Sequence, residues 1–169
     1  MSHFATIKTK LNNKEALVEG LKQALARKGI FINIEVLDQP RRLVNKYDED
    51  DESFGSIVIS HEVLGTPQRP NALVDVGYLW NEDHYELQID SYDYNINRLG
   101  LAFGSLQNFN NAVQLEHDAI VLFKETLVKN YPETEWEYGE KVVAEDGTIT
   151  MELTKKPQLV EAQLVEAWY

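Results

Sequence analysis

The pattern of hydrophobic and polar positions predicts a strand followed by an amphipathic helix at the start of the chain. His3–Lys10 alternates with a period of two, as a strand does. Asn12 stands three residues before Glu15, which is the spacing of a capping box at a helix start. The helix that follows carries apolar residues at helical spacing, namely Leu17, Leu21, Ala24 and Leu25. Gly29 predicts its end, because glycine readily adopts the left-handed conformation of a helix C-cap.

Four further runs are typical of β-strands. Ile30–Leu37 is rich in β-branched residues and should end at Pro40, and Ile57–Ile59 is a short apolar run. Leu73–Trp80 and Tyr85–Asp90 alternate on either side of a polar connection of hairpin length. Their apolar side chains share one face, and the polar ones point mainly to the other, namely Asp75, Glu86, Gln88 and Asp90. This alternation predicts a sheet with one face in water.

The second half of the chain predicts an irregular stretch, a helix and a hairpin. Asp93–Gln107 has no sustained period, because two glycines interrupt it. A helical pattern returns at about Asn110 and ends at Tyr131-Pro132. Its expected buried side consists of Ala112, Leu115, Ala119, Leu122 and Phe123. Glu135–Lys155 predicts a hairpin around Asp146-Gly147, a dipeptide that suits a type I′ turn.

Together these elements predict an α+β protein in which two principal helices pack on one face of a mainly antiparallel sheet. The strand, helix and strand at the start are compatible with the βαβ start of a ferredoxin-like arrangement. We expect one domain over residues 1–156, followed by a tail over 157–169. Five carboxylates in a row, Asp48–Glu52, repel one another and predict a mobile acidic loop near residues 46–55.

The totals exclude several classes of protein. The 169 residues include no cysteine, which excludes disulfides, thiolate metal sites and cysteine nucleophiles and is typical of a reducing compartment such as the cytoplasm. No apolar run approaches the ~20 residues of a membrane-spanning helix, so we expect no membrane contact. Residues 1–47 carry a net charge of +5 and residues 48–169 one of −17, within a total of −12. Because acidic surfaces repel phosphates, we expect no nucleic-acid partner.

Motifs for catalysis or metal binding are missing from the sequence. The four histidines show none of the short spacings that build a metal site on one element. Asp48, Asp50 and Glu52 alternate as in a calcium loop, but Ser53 stands where that loop needs glycine and Ile59 where it needs glutamate. Phosphate-binding and hydrolase motifs are also missing. The sequence therefore predicts no metal and no cofactor.

The tail resembles a recognition element. After Pro157 the pentapeptide Gln-Leu-Val-Glu-Ala occurs twice, and a helix there would carry a narrow apolar stripe of Val160, Leu164, Ala167 and Trp168. So short a helix is not stable in isolation and must dock on something. That surface is either its own domain, a second copy of the chain or another protein, and we expect a partner protein or self-association.

Three stretches carry a family resemblance: Met1–Thr9, then Val76-Gly77-Tyr78 through Tyr85-Glu86-Leu87, then Glu145–Ile149. Together they closely resemble the hypothetical chloroplast reading frame thirty-five family (domain of unknown function twelve-fifty-seven) of cyanobacteria and algal plastids. The resemblance implies a soluble protein of the cytoplasm or plastid stroma without an assigned activity. The resemblance also implies that Ser2, His3 and Phe4 are candidates for a site shared by the family. The acidic loop and the tail depart from the family pattern.

These observations favour a non-enzymatic accessory or adaptor protein that acts by binding another protein. Candidate contacts are the tail stripe and the acidic residues Asp48, Asp50 and Asp51. One alternative is a small-molecule-binding or hydrolytic domain that uses His3 and the aromatic strand face formed by Tyr78, Trp80, Tyr85, Tyr92 and Tyr94. Another alternative is an acidic mimic of nucleic acid, which requires carboxylates in a regular double row.

Overall fold

Five strands from the first half of the chain form one antiparallel sheet. They are β1 (Ala5–Lys8), β2 (Glu35–Arg42), β3 (Phe54–Ile59), β4 (Val76–Asn81) and β5 (His84–Ile89). In this computed structural model, which describes residues 3–144 and 148–157, they lie side by side in the order β1-β5-β4-β3-β2. With the helices described below, this arrangement confirms the predicted α+β class and the mainly antiparallel sheet.

The opening strand, helix and strand do not form a ferredoxin-like start. Helix α1 (Lys14–Arg27) connects β1 to β2, and these two strands are parallel to each other at opposite edges of the sheet. Three strands lie between them, whereas a ferredoxin-like unit places one there. The strands β2 to β5 form a meander in which each strand pairs with the next, and β1 pairs with β5 at the far edge from β2.

Helix α1 follows its predicted pattern closely. The apolar positions Leu17, Leu21, Ala24 and Leu25 are all buried. Asn13 rather than Asn12 is the N-cap, and its side chain accepts a hydrogen bond from the backbone N–H of Ala16 at 2.9 Å. Gly29 has φ 72° and terminates the helix in the predicted left-handed conformation.

Strand β2 lies further along the chain than predicted. It covers Glu35–Arg42, so Pro40 is inside the strand and does not end it. The pairing with β3 shifts register between Val36 and Arg41, which is the part of β2 that contains the proline. Because β2 is an edge strand and its ladder is interrupted here, the N–H that proline lacks is not needed for pairing.

Helices α1 and α4 (Leu106–Asn130) pack on one face of the sheet. Side chains from both helices and from that face form one buried core, which includes Leu17, Leu21, Ile57, Tyr78, Leu87, Phe109 and Val113. The two helices approach each other closely at Gly20, where a Cβ atom would lie 2.9 Å from the backbone nitrogen of His117. Glycine is therefore required at this crossing for steric reasons.

The buried stripe of α4 differs from the predicted one. Leu115 and Leu122 are 71% and 65% exposed, and the buried positions are instead Phe109, Val113, His117, Ile120 and Leu127. A polar residue in the stripe hid the correct period. His117 is 2% exposed, and its Nε2 atom accepts hydrogen bonds from the backbone N–H groups of Asn12 and Asn13 just before α1.

The stretch predicted to be irregular contains two short helices, α2 (Ser91–Ile96) and α3 (Arg98–Phe103). Each begins at a capping residue. The side chain of Asp90 accepts a hydrogen bond from the N–H of Asp93 at 2.9 Å, and that of Asn97 accepts one from Leu99 at 2.9 Å. The prediction was wrong because such short helices are determined by their caps rather than by an apolar period.

The face of the sheet opposite the helices is not simply in water. Asp75 is 0% exposed, Gln88 5% and Asp90 2%, although the alternation of β4 and β5 predicts them in solvent. Gln88 accepts a hydrogen bond from the Thr6 hydroxyl on the neighbouring strand at 2.9 Å. The prediction failed here because a segment from elsewhere in the chain covers part of this face, as described below.

The chain divides into two compact units, Met1–Val121 and Leu122–Tyr169. The second contains the last part of α4 and the predicted hairpin, which consists of β6 (Trp136–Val143) and β7 (Ile149–Lys155) paired antiparallel. Its turn at Asp146-Gly147 and the tail stripe lie outside the described residues. Within the described ranges, no helix combines the length and the apolar character needed to cross a membrane.

Candidate functional site

We call residues 41–51 the strap. It consists of the last two residues of β2 and the segment that follows, and it pairs with two other parts of the first unit. The N–H of Leu43 donates to the carbonyl of Ser53 at 2.8 Å, and Asn45 forms an isolated antiparallel bridge with Val74. Leu43 is 1% exposed and packs over Gly77, where a Cβ atom would lie only 2.9 Å from the leucine side chain. The strap is therefore held against the sheet by both backbone pairing and packing.

Asp75 fastens the strap to the sheet. Its Oδ1 accepts hydrogen bonds from the backbone N–H of His61 at 2.8 Å and from His61 Nδ1 at 2.7 Å. Its Oδ2 accepts from the N–H of Val44 at 2.8 Å and from Arg41 Nη1 at 2.9 Å. Each oxygen therefore has two partners, which satisfies a carboxylate that is completely removed from solvent.

Arg41 extends this network to β2. Its guanidinium lies 2.6 Å from Glu35 Oε2 as well as bonding Asp75, and the hydrogen bond to Glu35 raises the pKa of Arg41 despite partial burial. Burial by itself raises the pKa of Asp75, but the hydrogen bonds from His61, Val44 and Arg41 outweigh it and hold the pKa below its usual range. Asp75 is thus a carboxylate stabilised in its charged form.

The lowered pKa of Asp75 predicts a loss of stability in acid. The unfolded chain, with an Asp pKa of about 3.9, binds a proton more readily than the folded one, so the stabilisation is complete above that pKa. It is lost as the pH falls through the lower pKa of the folded state. Urea unfolding from about pH 7 to pH 3 should show the difference between wild type and Asp75→Asn shrinking as the pH falls. A difference that stays constant over this range contradicts the assignment.

His61 and Asp75 form the pairing that orients a catalytic base in many enzymes. Here the imidazole side chain is 10% exposed and its Nδ1 is bound to Asp75. Within the described part of the chain, no group hydrogen-bonds its Nε2 atom. The other three hydrogen bonds of Asp75 come from Arg41 and from the backbone. His61 thus holds one oxygen of Asp75, and the strap residues Arg41 and Val44 bind the other.

A second buried carboxylate supports an aromatic cluster at the end of the strap. Asp93 is 1% exposed, and it accepts hydrogen bonds from the Tyr47 hydroxyl at 3.2 Å and from the N–H of Val74 at 3.3 Å. Arg69 bonds the Tyr47 hydroxyl and lies 3.8 Å from Asp93. The Tyr92 ring meets the Tyr47 ring edge-on, with centroids 5.7 Å apart.

This aromatic cluster is exposed although its support is buried. Tyr92 is 59% exposed and Tyr47 37%. Arg69 lies over the Tyr47 ring at 5.8 Å from its centroid, which adds a cation–π contact. Burial raises the pKa of Tyr47 even though the hydrogen bond with Arg69 opposes the shift, so the hydroxyl is neutral and donates to Asp93.

Two of the predicted candidate sets come together at the strap. His3 Nδ1 lies 3.3 Å from Asp48 and 3.8 Å from Asp51, and the backbone N–H of Phe4 donates to Asp51 Oδ2 at 2.6 Å. Asp50 is exposed, and its own N–H donates to the Asp48 side chain at 3.1 Å. The acidic residues therefore hold the start of the chain, a contact that sequence spacing does not reveal.

The remaining candidates are placed differently. Ser2 and the tail stripe of Val160, Leu164, Ala167 and Trp168 lie outside the described residues. The aromatic residues of the strands do not form one surface: Tyr78, Tyr85 and Tyr94 belong to the core beneath the helices. Trp80 is 46% exposed and Tyr92 lies in the strap cluster. His3 is paired with acidic residues rather than with these rings.

An open groove of about 460 Å³ runs beside the strap. Its lining includes both signs of charge, namely Arg42, Lys46, Glu49 and Asp51. The guanidinium of Arg42 also bonds the carbonyl of Glu49 across it. Among residues 3–144 and 148–157, no group of three or more His, Cys, Asp or Glu side chains is arranged to hold a metal ion.

Sequence reasoning missed the residues that organise this region, namely Tyr47, His61, Arg69, Asp75 and Asp93. Asp75 gave one usable signal, because an acid inside the apolar run Leu73–Trp80 is unusual and buried acids are nearly always paired. The partners of Asp75 carry no comparable signal, since they come from separate parts of the chain.

No family model, no curated relative and no solved structure matches this chain. The resemblance to the hypothetical chloroplast reading frame thirty-five family therefore depends on the three quoted stretches of sequence alone. The function has to be inferred from the geometry of the strap and its surroundings.

Proposed function

We propose that this protein is a non-enzymatic adaptor that binds another protein through the strap surface, which we define as Tyr47, Arg69 and Tyr92 with the acidic residues Asp48 and Asp50. The observation that carries the proposal is the exposed pair Tyr47 and Tyr92, in which the Tyr47 hydroxyl is bound to the buried carboxylate of Asp93. Tyrosine and arginine are among the residues that contribute most to protein–protein binding.

The support matters because it removes an entropic cost. Asp93 and Arg69 hold the Tyr47 hydroxyl, and the Tyr92 ring rests against Tyr47. A side chain that is already ordered loses little freedom when a partner covers it. Two hydrogen bonds to Asp75, from the N–H of Val44 and from Arg41 Nη1, keep the strap in place. The strap surface is therefore preorganised for binding.

The charge of the strap indicates the kind of partner. Residues 48–52 are all acidic. Asp50 is exposed and lies three residues after Tyr47 in the strap. Acidic groups at the rim of an interface accelerate association with a basic partner and exclude acidic ones. We therefore expect a partner with a basic segment, and its association rate should fall as salt is added.

The substitution Tyr92→Ala tests the proposal. Loss of a tyrosine that is a hot spot of an interface costs about 2 kcal/mol or more, which corresponds to roughly 30-fold in affinity. In affinity capture from a lysate of the native host, a partner recovered by the wild type should fall at least about tenfold with Tyr92→Ala. Because Tyr92 is 59% exposed, the thermal unfolding midpoint should hardly change.

The matched control is Phe31→Ala, which removes another exposed aromatic ring, 80% accessible, from a different part of the surface. This variant should capture the partner as well as the wild type does. Capture that is equal for Tyr92→Ala and the wild type, or no specific capture by the wild type, contradicts the proposed function.

A further inference from the structure

The second unit, Leu122–Tyr169, leaves an apolar groove between the end of α4 and β7. Its volume is about 310 Å³. One wall follows the helix, where every fourth residue contributes, namely Phe123, Leu127 and Tyr131. The other wall follows the strand, where every second residue contributes, namely Ile149, Met151 and Leu153. A helical face and a strand face therefore line one depression.

This unit buries little of its own apolar surface. Of its described residues, Leu127 alone is less than 9% exposed. Phe123, Ile149, Met151 and Leu153 are half-buried, and Tyr131 is 40% exposed. An isolated two-stranded hairpin is marginally stable at best and needs a further packed layer. The end of α4 provides part of that layer, and the groove is the place where the layer is incomplete.

The residues that precede the tail lie beside this groove. Lys156 follows β7, and its backbone N–H donates to the carbonyl of Glu135 at 2.8 Å. Its Nζ atom donates to the carbonyl of Glu133 at 2.7 Å. Glu133 is two residues from Tyr131, which lines the groove. The tail therefore begins next to the groove, and the three residues from Pro157 to Val160 can span up to about 10 Å.

We propose that the tail, residues 157–169, docks in this groove on its own chain, with Val160, Leu164 and Trp168 against the apolar lining. The sequence supplies an apolar stripe of suitable length: from Val160 to Trp168 a helix rises about 12 Å. The apolar row of β7 from Ile149 to Leu153 extends about 13 Å. Both the place where the tail starts and its pattern therefore match the groove.

The absence of cysteine makes a direct test possible. Two cysteines introduced as Met151→Cys and Leu164→Cys would be the only thiols of the variant. Met151 lines the groove, so mild oxidation at low protein concentration should close a disulfide within one chain. Non-reducing electrophoresis detects it as a faster monomer band, and circular dichroism confirms that the variant is folded.

The matched control pairs Leu164→Cys with Glu152→Cys. Glu152 follows Met151 in β7 and is exposed, so its side chain points to the opposite face of the hairpin. We expect at least about tenfold less intrachain disulfide from this variant, because a disulfide needs Cα atoms within about 7 Å. A second pair, Leu153→Cys with Val160→Cys, repeats the test if the first variant does not fold.

The other occupants of the groove give different results. If a second copy of the chain donates the tail, disulfide-linked dimers should predominate and increase with protein concentration. If the tail binds elsewhere, including on another protein, the variants with Met151→Cys or Leu153→Cys should form no more intrachain disulfide than the Glu152→Cys control. Either result overturns the proposal. Both leave the strap surface untouched, so the proposed function is tested separately.

Discussion

Replacing Asp75 with alanine should lower the free energy of unfolding by about 3–5 kcal/mol, the range found when one partner of a buried ion pair is removed. The substitution deprives the backbone N–H groups of His61 and Val44 of their acceptor. Arg41 keeps Glu35 as a partner but loses its buried one. Urea unfolding followed by circular dichroism measures the change.

A suitable control is Asp83→Ala. Asp83 also bonds a histidine through Nδ1, in this case His84 at 2.6 Å, but its side chain is 89% exposed. Exposed pairs of this kind contribute little to stability, so the urea midpoint should stay close to that of the wild type. If Asp75→Ala is as stable as this control, then the strap is not held by Asp75.

The substitution Gly20→Val should destabilise the protein by about 3 kcal/mol, at the upper end of the range for overpacking. A Cβ atom at this position would lie 2.9 Å from the backbone nitrogen of His117 and 3.2 Å from the carbonyl carbon of Glu116. Because these atoms belong to the backbone of α4, no side-chain rotation relieves the contact and the two helices must separate. Thermal and urea unfolding should both report the loss.

Gly20→Ala sets two effects of opposite sign against each other. Alanine favours a helix over glycine by about 1 kcal/mol, whereas the same Cβ contact disfavours it, so we expect a net loss smaller than that of valine. Lys22→Val is the control, since Lys22 is exposed in the same helix and valine there loses only about 0.5 kcal/mol of helix propensity. Equal stability of Gly20→Val and Lys22→Val would show that α1 and α4 do not meet at this point.

The elements that the sequence predicts well are those with local causes. The burial of α1 follows from apolar residues on one helical face, and its end follows from Gly29. The β4–β5 hairpin is also predicted, because Leu73–Trp80 and Tyr85–Asp90 overlap the paired strands. Each of these depends on residues within one turn or one strand pair.

The predictions that failed depend on distant partners. The stripe of α4 was assigned from apolar residues alone, but His117 occupies a buried position because it caps the start of α1. Pro40 predicts an end of β2, but an edge strand with a shifted register accommodates it. In both cases the deciding feature is where the element lies in the fold.

The candidate site also combines features that the local sequence predicts with contacts between distant residues that it does not predict. Composition singles out the acidic residues Asp48, Asp50 and Asp51, but it does not predict that Asp48 and Asp51 contact the start of the chain at His3 and Phe4. Asp75 lies far along the chain from Arg41 and from His61, and no periodicity relates them. Pairings of this kind become visible only when the sheet has brought the segments together.

The position of β1 has a consequence for how the protein folds. The strands β2 to β5 pair with their neighbours in the chain, but β1 pairs with β5, so that Ala5 lies opposite Ile89. Closing so long a loop carries a large entropic barrier, and contacts of high sequence separation slow folding. The meander should therefore form first and β1 should dock late, which leaves the edge of β5 open to wrong pairing until β1 has docked.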